Sequence, residues 1–426
     1  MIKYSLKIAL ITYILLLNYA QAHAWTNPAI IPNSSGSLHV DAAQDKNGNI
    51  VAIWIAQQNN ATVVQTTRYS AKTESWSSIK EIGTSSLQAH VKIGMNREGT
   101  ALLVWKNKDN VLQSIAYSGQ DWQTWDPSPI SLSNQDDTVI DFFTTKEFAT
   151  ETTVTWCSGN GAYAILYDAT TQSWSTIKTL STKACVNISQ SVDAQGNNAF
   201  IWIAKQDTTH YTVSGSYYDA SQTWQTWQPY TVEFALDCFA YNAYVSMASS
   251  TGIAFFSWAD SHGIQTTQYN PSVVWQEYNP HSGQKTVDIP TYYQLQSTTD
   301  AVGNTVWVWQ QPSGICFLTR YDAGTQWQNW NPICTAVNDQ ATKIEDVVLL
   351  NSTNTILLLS SQENYRRNTL YISECNSSGY CDTPVALTRA CLSSNQKVLA
   401  ARPDSSETHI MALWPTTYNG IHYIIS

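Results

Sequence analysis

Short runs in which hydrophobic and polar residues alternate recur along the whole chain, as in residues 50–54 and 101–105. A period of two residues is typical of β-strands, and no segment makes a credible amphipathic helix. Most of these runs end in an aromatic anchor, and consecutive anchors are 46 to 56 residues apart. A serine takes the seventh place in the series Trp54, Trp105, Trp156, Trp202, Trp258, Trp309, Ser360 and Trp414.

A turn motif precedes most anchors by about nine residues. It has Asp or Asn at its start and Gly three residues later, as at Asp45 and Gly48, Asn96 and Gly99, Asp193 and Gly196, or Asp300 and Gly303. The side chain at the first position can cap a turn, and glycine tolerates the positive φ that closes a hairpin. A second signal follows each anchor by about twenty residues and ends in tryptophan, as at Trp76, Trp174, Trp224 and Trp327.

Each repeat therefore contains four short strands. Four-stranded units repeated radially form a β-propeller, which leaves few exposed sheet edges. We predict an all-β fold with a single β-propeller of eight four-stranded blades, with seven as the alternative. The eighth repeat has three strands, around Val398, Trp414 and Tyr423, and residues 25–28 are predicted to supply its fourth strand and close the ring.

The first residues predict export. Lys3 and Lys7 precede an apolar run over residues 8–17, and small residues follow at Ala20, Ala22 and Ala24. This layout is typical of a secretory signal peptide, and the run is short for a membrane span, which needs about 20 residues. We expect residues 1–24 to be the signal peptide, residues 25–426 to form the propeller domain, and the protein to be secreted or periplasmic, with no transmembrane segment.

Charge and cysteine content narrow the choice of partners. The net charge is −10 and only 13% of residues are charged, so nucleic acid is not expected as a partner. Eight cysteines in an exported chain indicate disulfides. Cys375 with Cys381, and Cys316 with Cys334, are candidate pairs. The pairing of the remaining four is left open: Cys157, Cys185, Cys238 and Cys391. No cofactor is indicated, and the sequence leaves metal binding undecided.

One candidate site comes from aligning the first strands of the repeats. Fifteen residues before the anchors lie His39, His90, Asp141, Asn187, Ala243, Gln294, Glu345 and Leu399, and six of these are polar. They could converge at one mouth of a central channel and bind a polar ligand or a metal. The alternative is that they bond to water and backbone along a wet channel.

Outer tryptophans form a second candidate site. Repeats two, four and six carry a Trp-x-x-Trp pattern that ends in Trp125, Trp227 and Trp330. Residues three apart in a strand point to opposite faces, so one ring of each pair could lie exposed. Exposed rings among amide and hydroxyl residues can stack on sugars, although such a tryptophan can also cover the seam between two sheets.

The turn followed by a tryptophan strand resembles the repeats of exported bacterial β-propeller proteins and, more remotely, the Asp-box hairpins of sialidases and lectins. The resemblance covers almost the whole mature chain and implies a fold, not an activity. Two departures matter: Gly48 and Trp54 are six residues apart, wider than in an Asp-box, and several of the seven arginines lie in turn positions, so sialidase activity, which uses an arginine triad, is not expected.

These features favour an exported, monomeric, non-enzymatic propeller that binds a glycan or a protein. The catalytic motifs of metalloproteases, serine hydrolases and phosphate-binding loops do not occur. A glycan-active hydrolase or lyase at the channel mouth is the main alternative, because glycosidases need only two suitably spaced carboxylates. The carboxylates considered for it are Asp136, Asp137, Asp141, Glu345 and Asp346. A structural component of the envelope is a third hypothesis.

Overall fold

The computed structural model describes an all-β chain. The described residues are 26–58, 61–87, 89–117, 130–133, 139–144, 147–148, 150–207, 210–219, 224–226, 230–233, 243–248, 250–260, 263–272, 274–275, 294–310, 316–323, 326–327, 333–335, 342–350, 355–364, 367–375, 385–390, 398–400, 410–416 and 420–425. Every regular element among them is a strand, as the alternating pattern predicts.

These strands form eight sheets, numbered here in chain order, and within each sheet the successive strands of a repeat pair antiparallel. Sheet 1 contains Ser37–Gln44, Ile50–Gln58, Ala61–Ser70, Ser75–Trp76 and Lys80–Thr84, and sheet 2 contains Val91–Asn96, Ala101–Lys106, Leu112–Tyr117 and Ile130–Ser131. Sheet 3 contains Val139–Thr144, Glu151–Ser158, Gly161–Asp168, Ser173–Trp174 and Lys178–Ser181. Sheet 4 contains Cys185–Val192, Asn198–Lys205, His210–Tyr218, Trp224–Thr226 and Tyr230–Glu233.

Sheets 5 to 8 repeat the arrangement. Sheet 5 contains Ala243–Met247, Ala254–Asp260, Gly263–Asn270 and Val274–Trp275, and sheet 6 contains Gln294–Thr299, Thr305–Gln310, Cys316–Asp322, Gln326–Trp327 and Ile333–Thr335. Sheet 7 contains Thr342–Leu350, Thr355–Asn364, Arg367–Cys375 and Val385–Ala390. Sheet 8 contains Val398–Ala400, Met411–Thr416, Gly420–Ile425 and Ala29–Ile30.

The turn motif folds as its residues predict. Asp45 accepts hydrogen bonds through Oδ1 from the amides of Asn47 and Asn49, at 2.8 and 2.9 Å, and through Oδ2 from the side-chain amide of Asn49 at 2.8 Å. Gly48 completes the turn with a φ of 76°. Asp193 and Asp300 make the same set of bonds to their own turns. The carboxylates are thus fully used within the hairpins that join the first two strands.

The tryptophan anchors are buried between consecutive sheets, as predicted. Trp105 of sheet 2 packs against Ile53, Val64 and Ile82 of sheet 1. In seven of the eight hydrophobic clusters of the described chain, side chains come from two consecutive sheets, or from sheets 8 and 1; the eighth joins sheets 2 and 3 and also includes Val192 of sheet 4. Seven of the clusters contain an anchor tryptophan; the cluster between sheets 6 and 7, where Ser360 replaces it, contains none.

Among the described residues, the predicted outer strand consists of two short segments in four of the sheets. In sheet 1, Ser75–Trp76 and then Lys80–Thr84 both pair with the third strand. The Trp76 ring lies against Tyr69, with ring centroids 5.3 Å apart, and Trp174 packs against Tyr167 in the same way at 5.0 Å. These two outer tryptophans therefore cover a tyrosine of their own sheet.

Sheet 2 contains a strand that the sequence analysis did not anticipate. Repeat three lacks the aspartate–glycine turn, and its longer hairpin carries Glu147–Phe148 to the edge of the neighbouring sheet. There it pairs in parallel with Met95 and Asn96. This addition covers part of the first strand of sheet 2, which is otherwise an edge strand.

The two ends of the chain meet in sheet 8. Ala29–Ile30 pairs antiparallel with Gly420–Ile425, with Ala29 opposite Tyr423. The amide of Ile31 donates to the carbonyl of Ile421 at 2.9 Å, and the amide of Ile421 donates to Ser34 Oγ at 2.8 Å. The pairing residues directly follow the segment 25–28 that the sequence predicts; Trp25 itself lies outside the described residues.

One disulfide joins Cys157 of sheet 3 to Cys185 of sheet 4, with Cα atoms 4.9 Å apart. It selects one pairing among the four cysteines that the sequence left open. Cys375 is also disulfide-bonded. Cys381, its predicted partner, lies outside the described residues, and the Cys316–Cys334 pair stays a prediction. In the described part of the chain, no helix has the length and hydrophobicity to cross a membrane.

Replacing Gly252 with alanine is expected to destabilise the fold. Gly252 has a φ of 67°, and an added Cβ would lie 2.9 Å from Asp193 Oδ2 and 3.0 Å from the Tyr217 hydroxyl. The left-handed conformation alone costs a residue with a Cβ about 1–2 kcal/mol. Gly159→Ala is the matched control, since nothing lies within 4 Å of its added Cβ. Equal denaturation midpoints for the two variants would contradict this account of the turn.

Replacing both Cys157 and Cys185 with alanine is expected to lower the free energy of unfolding by about 3–4 kcal/mol. The disulfide closes a loop with a sequence separation of 28 residues, and cross-links of that span restrict the unfolded chain by roughly this amount. The measurement is urea denaturation of the variant and the unmodified protein. Reductant should then destabilise the variant less than the unmodified protein; equal sensitivity would show that this bond contributes little.

Candidate functional site

Two predicted site residues, His39 and His90, lie in contact although 51 positions separate them in the chain. Their rings meet edge to face, with centroids 5.0 Å apart. His39 lies near the start of the first strand of sheet 1, and His90 directly precedes the first strand of sheet 2. Both therefore lie at the end of the sheets opposite the aspartate turns. We call this end the histidine mouth.

Two lysines of sheet 2 bring positive charge to the histidine mouth. Lys92 lies two residues beyond His90, and its Nζ is 5.3 Å from the centre of the Phe143 ring. Lys106 ends the second strand, and its Nζ donates to the carbonyl of Val139 at 3.2 Å. Both ammonium groups act electrostatically on His90 and on Asp141. The mouth thus combines two histidines, two lysines and one carboxylate from three consecutive sheets.

Aromatic side chains lie next to this cluster. Phe143 of sheet 3 meets Tyr244 of sheet 5 edge to face, with centroids 6.5 Å apart. Sheets 3 and 5 are not consecutive, so this contact passes over the first strand of sheet 4. The first strands of sheets 3 to 5 therefore face a common space, as the strands around a central channel do.

Asp141 and Asn187 are engaged by backbone amides of the next sheet. Asp141 accepts hydrogen bonds from the amides of Phe142, at 2.9 Å, and Ile188 of sheet 4. Asn187 Oδ1 accepts from the amide of Ala243 of sheet 5 at 2.9 Å. Asp41, which the sequence analysis did not select, bonds in the same way to the amides of Ala42 and Ile93. These oxygens satisfy edge-strand donors that would otherwise lack partners.

The fifteen-residue offset holds in some repeats and fails in others. Gln294 pairs with Gln310, one residue past the anchor, as His39 does with Ile55. Ala243 instead pairs with the anchor Trp258. Glu345 and Leu399 likewise do not pair with the residue that follows their anchor.

Glu345 is displaced by a register shift between Ile344 and Asp346, and Lys343 takes the equivalent position opposite Ser361. The interpretation of Glu345 as an equivalent of His39 is therefore corrected. A β-bulge adds one residue to a strand, and a fixed sequence offset cannot detect it. The structure describes the backbone of Gln294 and Glu345 and not their side chains. Trp125, Trp227 and Trp330 lie outside the described residues.

Burial lowers the pKa of both histidines. The cause for His39 is desolvation, and its Nδ1 has no hydrogen-bond partner among the described residues. Desolvation, followed by the charges of His39, Lys92 and Lys106, lowers the pKa of His90 to about 4. Desolvation also lowers the pKa of Lys106, against the attraction of Asp141. Both imidazoles are therefore neutral at pH 7 and can donate and accept hydrogen bonds.

The pKa of Asp141, unlike that of the histidines, is raised by its surroundings. Burial raises the pKa of its carboxyl group, while Lys92, the amides of Phe142 and Ile188, and Lys106 lower it. Among the described residues, no three His, Cys, Asp or Glu side chains are placed to hold a metal ion. Two nearby ammonium groups also disfavour a cation at the histidine mouth. The described chemistry suits a ligand with hydrogen-bonding or negatively charged groups.

Solved structures with a similar fold are β-propellers. The Dos1 propeller aligns with a TM-score of 0.51 and 11% identity, over 94% of each chain. The six-bladed fucose lectin of Aleuria aurantia has a TM-score of 0.37 and 12% identity, over 71% of this chain and 98% of its own. The WD40 domain of Toxoplasma gondii coronin has a TM-score of 0.45 and 8% identity, over 94% of this chain and 87% of its own.

This chain has the fold of a β-propeller. At 11% identity, the similarity to the Dos1 propeller concerns the fold alone. No protein-family profile matches the sequence, and no curated protein does. The resemblance to exported bacterial repeat proteins and to Asp-box hairpins therefore stays a prediction.

Sequence reasoning found the histidines and missed the groups around them. Lys92 and Phe143 alternate with core residues in their strands, and Lys106 follows the anchor Trp105. Lys92 and Phe143 occupy equivalent positions, each opposite the residue before the anchor, where sheets 1 and 4 have Asp41 and Ser189. Because the residue type at this position changes from repeat to repeat, a search for shared polarity does not select it.

The low pKa of His90 predicts how stability depends on pH. Because the folded value of about 4 lies below the ordinary 6.5, the unfolded chain binds more protons between these values. Stability is therefore lost as the pH falls from about 6.5 to 4. His90→Gln should lose less stability over this range than the unmodified protein, as measured by urea midpoints. A His90 ring titration by NMR with a midpoint near 6.5 would contradict the assignment.

Proposed function

We propose that the chain is an exported, monomeric, non-enzymatic propeller of eight blades that binds glycans at the histidine mouth. The eight sheets and the cluster that packs sheet 8 against sheet 1 support the blade count. The Cys157–Cys185 disulfide supports an oxidising compartment, where such bonds persist. The predicted signal peptide also supports export to such a compartment.

The observation that carries the binding function is the convergence of His39 and His90 with Lys92, Lys106 and Phe143. Their strands belong to three different sheets, and the aromatic ring lies beside hydrogen-bonding groups. Ligand sites on propellers and other rigid scaffolds combine such apolar surface with a few polar groups. Although His90 is partly desolvated, a portion of its surface stays exposed, so a ligand can reach the cluster from solvent.

A binding role fits these residues better than glycoside hydrolysis. Hydrolysis needs two carboxyl groups on either side of the scissile bond. Asp141 is the carboxylate that Lys92 and Lys106 act on, and the amides of Phe142 and Ile188 already bond to it. Asp141 is thus one carboxyl group, already engaged by the backbone, at a place where hydrolysis needs two.

A glycan array probed with the secreted form tests this function. We expect binding to a subset of glycans, weakened about tenfold or more by His90→Gln, since a hydrogen bond in a desolvated site contributes on this scale. Lys72→Met, an exposed turn residue of sheet 1, is the control and should bind as the unmodified protein does. The absence of any glycan signal, or turnover of a polysaccharide substrate, would contradict the proposal.

The outer tryptophans allow a second arm of the same experiment. If Trp125, Trp227 and Trp330 stack on sugars, replacing all three with alanine should weaken glycan binding. His90→Gln should then weaken glycan binding separately, by its own amount. Binding that is unchanged in the triple variant would restrict the glycan site to the histidine mouth. Circular dichroism of each variant shows whether the strands remain intact.

A further inference from the structure

The charges at the histidine mouth differ in sign from the charge of the whole protein. The chain has a net charge of −10, yet the charged groups that act on His90 are Lys92 and Lys106. His39, the third group that acts on His90, becomes cationic when it is protonated. A ligand group placed beside His90 would therefore experience a local positive potential.

We infer that the histidine mouth recognises an anionic group, the carboxylate or sulfate of an acidic saccharide. This inference rests on the proposed glycan-binding function and narrows its ligand class. Lys92 and Lys106 would supply the opposite charge, and the imidazoles of His39 and His90 would donate hydrogen bonds to the anion's oxygens. Phe143 would contact the apolar face of the sugar ring.

The existing bonds of the lysines leave capacity for an anion. An ammonium group has three donors. Lys106 uses one on the carbonyl of Val139, and Lys92 lies over the face of the Phe143 ring. Lys92 and Lys106 both act electrostatically on the Asp141 carboxyl group, which also accepts two backbone amide bonds, so at most one negative charge faces two positive ones. Charge-assisted hydrogen bonds of this kind are stronger than neutral ones.

Anion binding should be coupled to protonation of the histidines. An anion beside His90 offsets the repulsion from Lys92, Lys106 and His39, so the pKa of His90 rises when the ligand binds. By linkage, the ligand then binds more tightly as the pH falls from 7 toward the raised pKa of the complex. Asp141 is the acidic group among these charges, and a proton taken up by it in the same range would remove its negative charge and act in the same direction.

Three monosaccharides that differ at one carbon make the test specific. Glucose, glucuronate and glucose 6-sulfate are titrated into the full secreted protein while the ring resonances of His90 are followed by NMR. We expect saturable shifts with the two anionic sugars, tighter binding at pH 5 than at pH 7, and little effect of glucose. The comparison between glucuronate and glucose 6-sulfate shows which anionic group fits better.

Two variants separate charge from general disruption. Lys92→Met keeps the aliphatic part of the side chain and should weaken binding of the anionic sugars about tenfold. Lys72→Met removes an equal charge from the outer turn of sheet 1 and should leave binding unchanged. If Lys92→Met does not fold, the pKa of His90 in the unmodified protein, with and without glucuronate, still decides the question.

Equal binding of glucose and the anionic sugars would overturn the inference, as would anion binding that Lys92→Met and Lys72→Met weaken equally. No shift of His90 with either anion would also overturn it. A positive glycan array limited to neutral glycans would retain the proposed function and remove only the anion preference. A negative array would remove the proposed function itself.

Discussion

The structure depends on the burial of one large side chain at a time against the preceding sheet. A four-stranded sheet of this chain has two apolar faces and cannot bury either alone. Trp54 of sheet 1 packs with Met411, Leu413 and Ile421 of sheet 8, and Trp105 repeats the contact one sheet further on. Because each sheet needs both neighbours, stability belongs to the array and not to a single repeat.

The open edges of the first strands impose a second constraint. Exposed edge amides invite pairing with other chains unless something covers them. Asp41, Asp141 and Asn187 accept amide hydrogen bonds from the following sheet, and Glu147–Phe148 adds a strand to sheet 2. Polar residues in the first strands thus have a structural reason that is independent of any ligand.

The sequence was sufficient to predict the repeat because its signals are local. An aspartate, a glycine three residues later and an alternating strand act within one hairpin, so the turn at Asp193 could be predicted without knowing its neighbours. The burial of the tryptophans followed from their size and spacing. The β-bulge at Glu345 and the pairing of Cys157 with Cys185 could not be predicted, because both depend on register and on contacts between sheets.

The difference between local signals and contacts between sheets also explains how much of the site could be predicted from the sequence. Shared polarity at equivalent positions selected His39, His90, Asp141 and Asn187 together, but two of these serve the backbone of the next sheet. The rings of the two histidines instead contact each other edge to face, which separates them from the structural set.

A charged group that the packing of the sheets does not require is a better candidate for ligand binding than one that bonds to the backbone of the next sheet. Lys92 fits this criterion because the residues on either side of it, Val91 and Ile93, are core positions that pack against sheet 1. Its ammonium group lies over an aromatic ring of the next sheet, where a neutral side chain would fill the same space without bringing a charge to be desolvated. The fold gains little from that charge, whereas an anionic ligand would gain directly from it.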